Sequence, residues 1–195
     1  SSIVNMLYNT QLMRLAGADG VAAYGAVMYV NFIFVATFLG YAIGCAPVIS
    51  YHYGAGNHAE LKNLYKKSMS IILVWGVILF GAAQLLAPVL SKIFVGYNTG
   101  LYAMTLHGFR VYAIAFLIIG INIFGSSFFT ALNNGLISAV ISFLRTLVFQ
   151  VIMVLTLPLW FGINGIWSAI SIAEALTLIM TTTFFVRQKD KYHYL

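Results

Sequence analysis

Arg145 and Glu174 are the residues of this chain whose positions most demand a chemical explanation. Each stands near the middle of an apolar run. The two runs are consecutive and, if both cross a membrane, antiparallel, so the side chains arrive at about the same depth. A charge at the centre of a bilayer costs at least about 2.5–3.5 kcal/mol, and an opposite charge on the adjacent helix relieves that cost. The placement predicts that Arg145 and Glu174 pair or share a polar network. Two roles are open to such a pair. It can be a lock that holds helices together, or Glu174 can change protonation and release Arg145 during a working cycle. Asn122 lies deep in the preceding run between Gly120 and Gly125, where a carboxamide both donates and accepts; an interhelical hydrogen bond is expected there. Asn31 and Gln150 are intramembrane amides to which the same reading applies. Arg110 and His107 fall in the outer part of a run, where Arg110 either faces a water-filled cavity or, as favoured here, snorkels outward along its aliphatic stem. Met28, Met104, Met153 and Met180, with the many Phe and Tyr residues, can line an adaptable apolar pocket or serve as plain packing.

Enzyme chemistry finds no foothold. No GxSxG, P-loop, GxGxxG or HExxH pattern occurs, and His52, His58, His107 and His193 lack metal-ligand spacing. Asp and Glu together number four, too few for paired-carboxylate work around Glu174. The single cysteine, Cys45, has no partner for a disulfide or a CxxC site. No catalytic residue, cofactor or metal is expected, and the chain reads as a non-enzyme.

The elements that must carry Arg145 and Glu174 are membrane helices. The 195 residues are 62% hydrophobic and 7% charged, against about 25% charged in soluble domains, and the mean hydropathy is +0.94. About 20 apolar residues cross the hydrocarbon. On that measure the chain is an all-α, polytopic membrane helix bundle with one partial and five whole transmembrane helices: 1–15, 21–51, 68–94, 101–132, 136–157 and 163–186. Turns are expected at Gly17–Gly20, Gly96–Gly100, Asn133–Gly135 and Pro158–Asn164. The chain starts inside an apolar run, which suggests a larger protein's missing N-terminal portion.

Charge sets orientation and rules out one partner class. Lys62, Lys66 and Lys67 follow the second run, and Arg187, Lys189 and Lys191 follow the last; four crossings separate them, so both clusters fall on one side, the cytoplasmic one by the positive-inside rule. A +6 net charge divided among such loops marks topology in a cell membrane and makes nucleic acid an unexpected partner. Residues 55–67 can wind as a short amphipathic helix on the cytoplasmic surface, and residues 187–195 form a cytoplasmic tail. The stretch from Gly40 to Gly56 ends the second run with small residues, a proline and aromatics. Gly40, Gly44 and Pro47 there predict close helix packing and a bend.

With that stretch in place a family likeness emerges. Ala16-Gly17-Ala18-Asp19-Gly20-Val21-Ala22-Ala23-Tyr24-Gly25, followed a helix later by Gly44-Cys45-Ala46-Pro47-Val48-Ile49-Ser50-Tyr51-His52-Tyr53-Gly54-Ala55-Gly56, resembles the C-terminal half of multidrug and toxic compound extrusion (MATE) transporters, whose eighth helix ends in a G-x-x-P-I-I-x-Y-x-x-G-A type signature. Gly44, Pro47, Tyr51, Gly54 and Ala55 carry the match. The resemblance implies most of helix seven and helices eight to twelve of a twelve-helix, two-lobe transporter. Residues 1–195 would then be the C-terminal lobe, its partners the lipid bilayer, an absent N-terminal lobe and small lipophilic or cationic substrates. The implied function is secondary-active multidrug efflux against Na+ or H+. Cys45 and Ala46 depart from the Gln that many relatives carry before the proline. Some members also hold a cation on carboxylates of helices seven and ten, where this chain has Asn5, Asn9 and Asn122, so a cation site of that kind is not expected here. Coupling is left to the N-terminal lobe or to Glu174. The nearest alternative is a related flippase for a lipid-linked sugar, which Arg110 and Arg145 keep open; a membrane-embedded enzyme is the remotest.

Overall fold

The computed structural model describes residues 2–195, and they fold as helices joined by very short turns. Helix α1 runs Ser2–Gly54, α2 His58–Val95, α3 Thr99–Ala113, α4 Phe116–Ala131, α5 Gly135–Phe143, α6 Phe149–Phe161 and α7 Ile163–Tyr192; a π-helical turn, Leu144–Val148, joins α5 to α6. Helix α1 is two helices in one, broken at Gly17, whose φ of 64° and ψ of −155° suit a residue without a side chain. The part before Gly17 is the expected partial span. The remainder of α1, then α2, the α3–α4 pair, the unit Gly135–Phe161 and α7 are five apolar segments of membrane length.

Three of the turns use the same device. Asn57, Asn98 and Asn134 each accept backbone N–H groups on Oδ1, from Glu60, from Gly100 and Leu101, and from Ile137 respectively. An asparagine cap satisfies donors that the first helical turn leaves orphaned. The fourth turn is tighter than expected. Helix α6 continues through Pro158 to Phe161, and Gly162 alone, at φ 55°, reverses the chain.

Helix α4 is the centre of the bundle, packed against α1, α2, α5 and α7. Its buried residues lie all round its circumference, as an enclosed helix requires. Close approach to α4 depends on glycine: a Cβ at Gly120 would strike the Phe38 ring and come within 2.8 Å of Ile72, while one at Gly108 of α3 would sit 2.6 Å from the Trp167 ring. Large apolar residues such as Ile33, Ile43, Val77 and Leu85 point outward, which suits a lipid-facing surface and would be an aggregation hazard in water.

Four expectations need amendment. The segment 101–132 is not one straight helix: α3 and α4 meet at a 47° bend. At the bend Ile114 and Ala115 donate to the carbonyls three residues back, and the Arg110 carbonyl receives Nε2 of Gln84 instead, at 3.0 Å. A side chain inserted into the helical ladder explains the kink without proline. The amphipathic stretch 55–67 does not form a helix of its own. From His58 it is the first part of α2, with Leu61 and Tyr65 buried, because neither glycine nor proline interrupts α2 before Gly76. Residues 187–195 are no free tail: Tyr192 and Tyr194 are buried, the Tyr194 hydroxyl donates to the Phe185 carbonyl at 2.9 Å, and the ring joins Tyr65 and Phe128. Within this chain Gly40, Gly44 and Gly54 make no close packing contact, since a Cβ at any of them meets nothing within 4 Å, and α1 stays helical through Pro47. His58 meets His193 edge-on, with ring centroids 4.9 Å apart, which brings both lysine-bearing segments to one end of the bundle.

Candidate functional site

Inside the bundle the polar residues converge. Nε of Arg145 donates to both carboxylate oxygens of Glu174, at 2.8 Å to Oε1 and 3.1 Å to Oε2. Glu174 is 1% exposed and Arg145 17%. From the central helix, Nδ2 of Asn122 donates to Oε2 of Glu174 at 2.7 Å and to its backbone carbonyl at 2.9 Å. Three helical segments therefore meet on one carboxylate, with three charge-assisted hydrogen bonds and the backbone contact beside them. Bonds to an ionised acceptor are the stronger kind, and inside an apolar bundle they offset the desolvation that a lone charge would suffer.

Arg145 reaches Glu174 from the π-helical turn. Such a turn inserts one extra residue into the helical ladder, and single π turns recur at functional sites. No glycine or proline marks Leu144–Val148 in the sequence, so nothing in the composition announces the feature.

Beside the pair opens a cavity of about 240 Å³. Arg145, Glu174, Asn31, Gln150 and Met28 line it, together with Asn5, Tyr8, Tyr24 and Tyr112. Tyr8 and Tyr24 stack with centroids 5.0 Å apart and planes 8° from parallel; Tyr24 donates to Oδ1 of Asn5 at 3.5 Å. Among the described residues the Tyr8 hydroxyl is buried without a partner, and so is Oδ1 of Asn31. Buried polar atoms normally have a hydrogen-bond partner, so two open ones on one cavity wall mark it as a place where a polar ligand can be received.

The structure thus brings together Asn31, Asn122, Arg145, Glu174 and Gln150. It does not bring Arg110, which is exposed at the end of α3, or His107, which is hydrogen-bonded to Asn164 at 2.8 Å. Met104, Met153 and Met180 pack partly buried against the core rather than in the cavity. The signature residues Pro47, Tyr51, Gly54 and Ala55 are exposed and distant from it. Tyrosine in these apolar runs reads only collectively, as pocket lining or packing; the signal that singles out Tyr8 is Asn5, one helical turn before it (i, i+3) on the same face. Among the described residues no group of three or more His, Cys, Asp or Glu is placed to hold a metal.

Comparison with known proteins adds family to geometry. The MatE family model matches residues 1–156. The fold superposes on an outward-facing multidrug resistance MATE family transporter of the MOP superfamily with a TM-score of 0.90 at 19% identity, covering 100% of this chain and 44% of that one. It also superposes on an inward-facing conformation of such a transporter with a TM-score of 0.86 at 19% identity, over 97% of this chain and 45% of that one. The lipid II flippase MurJ of Bacillus subtilis is 31% identical over 98 residues, 49% of this chain and 18% of the flippase. The chain spans less than half the length of each of these proteins.

Proposed function

The chain belongs to the MatE family, and from that membership we propose that it is the C-terminal lobe of a secondary-active exporter of the cytoplasmic membrane, exchanging lipophilic or cationic compounds against Na+ or H+. The lobe works by rocking against a six-helix N-terminal partner, with the inter-lobe cleft opening to alternate sides. One observation carries this reading: the same bundle fits an outward-facing and an inward-facing transporter almost equally well, with TM-scores of 0.90 and 0.86. A unit whose internal geometry suits both states is suited to move as a rigid body. The Arg145–Glu174–Asn122 network supports it by tying helices together at depth. The end that carries Lys62, Lys66, Lys67, Arg187, Lys189 and Lys191 faces the cytoplasm.

The test is transport by the full-length protein in proteoliposomes. A cationic dye should move under a Na+ or a H+ gradient, and movement under neither would defeat the proposal. A second reading, flipping of a lipid-linked sugar, is favoured by the identity shared with MurJ over 98 residues. The same vesicles distinguish it: a fluorescent polyprenyl-linked sugar would change leaflets while the dye stayed in place.

A further inference from the structure

We propose that the cavity beside Arg145 is a carboxylate-binding site, which takes a small aromatic acid or the acidic end of a lipophilic compound. The inference rests on the export reading but departs from its cationic cargo by adding an acidic class of ligand, and it concerns equilibrium binding, which can fail or succeed independently of transport.

The polarity of the site follows from which atoms are already used. Glu174 is the one acid that lines the cavity, and both its oxygens are engaged, by Nε of Arg145 and by Nδ2 of Asn122. A cation entering here would have to displace a tethered guanidinium. Arg145 has the opposite condition. It spends only Nε on Glu174, and neither terminal nitrogen makes a hydrogen bond among the described residues. The two terminal N–H edges form the fork that matches a carboxylate bidentately. The Tyr8 hydroxyl, 2% exposed and unpartnered, supplies a further donor in the same cavity. Asn31 lines the same wall with its amide oxygen unpartnered, and a half-turn of the carboxamide presents the NH2 group instead. Asn122 holds Glu174 back on the far side, so its negative charge is shared by two donors before a second carboxylate arrives.

Size and walls limit the ligand further. A volume of about 240 Å³ falls just below the range for drug-sized molecules, which suits one aromatic ring and its acid group. The parallel Tyr8–Tyr24 pair gives that ring an apolar, polarisable face. Glu174 lies near the middle of α7, too deep for a lipid headgroup to be the source of the carboxylate.

Binding to the full-length protein in phosphatidylcholine nanodiscs, with no ion gradient, decides the matter. Benzoate should bind saturably and benzamide at least about tenfold more weakly, since the amide cannot engage the fork as an anion. Tyr8→Phe removes one hydroxyl and should weaken benzoate about fivefold, the scale of a single hydrogen bond. Arg145→Lys keeps the charge and loses the fork, and should weaken benzoate by more than tenfold. The double variant Arg145→Gln/Glu174→Gln, which leaves no charge unpaired, should bind benzoate no better than benzamide. Benzoate binding equal to that of benzamide in the unaltered protein would overturn the proposal, as would benzoate binding unchanged by both Tyr8→Phe and Arg145→Lys.

Discussion

Arg145 meets Glu174 with the side of its guanidinium, Nε to Oε1 at 2.8 Å, and leaves the end of the group uncommitted. The contact is both a structural tie across two helices and a means of keeping a cation at the edge of a cavity. Each role makes its own demand on the pair.

As a tie, the pair should be coupled. Arg145→Met and Glu174→Gln each leave one polar partner behind in a dry interior, at a cost of about 3 kcal/mol or more. The double variant removes both and should recover most of that loss. Thermal unfolding of the full-length protein in detergent reads the difference, and strictly additive losses would show that the two residues do not act on one another.

Asn122→Asp tests the second donor to Glu174. The substitution replaces an amide that donates at 2.7 Å with a carboxylate facing another carboxylate. Two like charges so close do not both ionise without penalty. The variant should be strongly destabilised at pH 8 and regain stability as the pH falls and one proton is shared between the two carboxyls. A pH-independent loss would mean that Asn122 contributes shape alone.

The glycines divide into two sets with opposite expectations. Gly108→Ala and Gly120→Ala drive a methyl into Trp167 or into Phe38 and Ile72, and should cost about 1–3 kcal/mol each by overpacking. Gly40→Ala and Gly44→Ala meet open space and should alter the lobe's stability by less than about 0.5 kcal/mol. If these same two variants nevertheless stop dye export, their outward faces belong to the contact with the proposed N-terminal lobe.

Tyr194 should behave as a core residue despite its place beyond α7. Tyr194→Ala opens a hole among Tyr65, Phe128 and Phe185 and should cost about 3 kcal/mol. Burial pushes its phenol well above the usual tyrosine range. A proton held more tightly in the folded state than in the unfolded chain stabilises fully below the unfolded pKa, so the contribution declines as the pH rises past about 10. Unfolding measured from pH 8 to 11 should fall less steeply in Tyr194→Phe.

Much of the site was legible because membranes make polar residues conspicuous. Arg145 and Glu174 stood out as opposite charges at one depth, and Asn122 as an amide where only a partner would justify it. Their contact geometry was not legible, because the π turn that aims Arg145 inserts a residue without any compositional mark. Arg110 drew attention for its charge, yet it stands exposed at the end of α3. Tyr8 drew none, since a phenol amid apolar residues is ambiguous until its hydroxyl is seen to lack a partner. The glycines of the Gly40–Gly56 stretch show another limit: small residues promise close contact, but the sequence does not say with which neighbour, and none within this chain meets Gly40, Gly44 or Gly54.

The order in which the network is made also has a consequence. A ribosome delivers Asn122 first, Arg145 next and Glu174 last, 29 residues later. The segment bearing Arg145 therefore precedes α7 on its way to the bilayer, carried by apolar neighbours whose hydropathy over the window averages 2.1. For that interval the arginine is an unanchored passenger, and arrival of α7 turns a tolerated defect into the clasp that closes the nascent lobe.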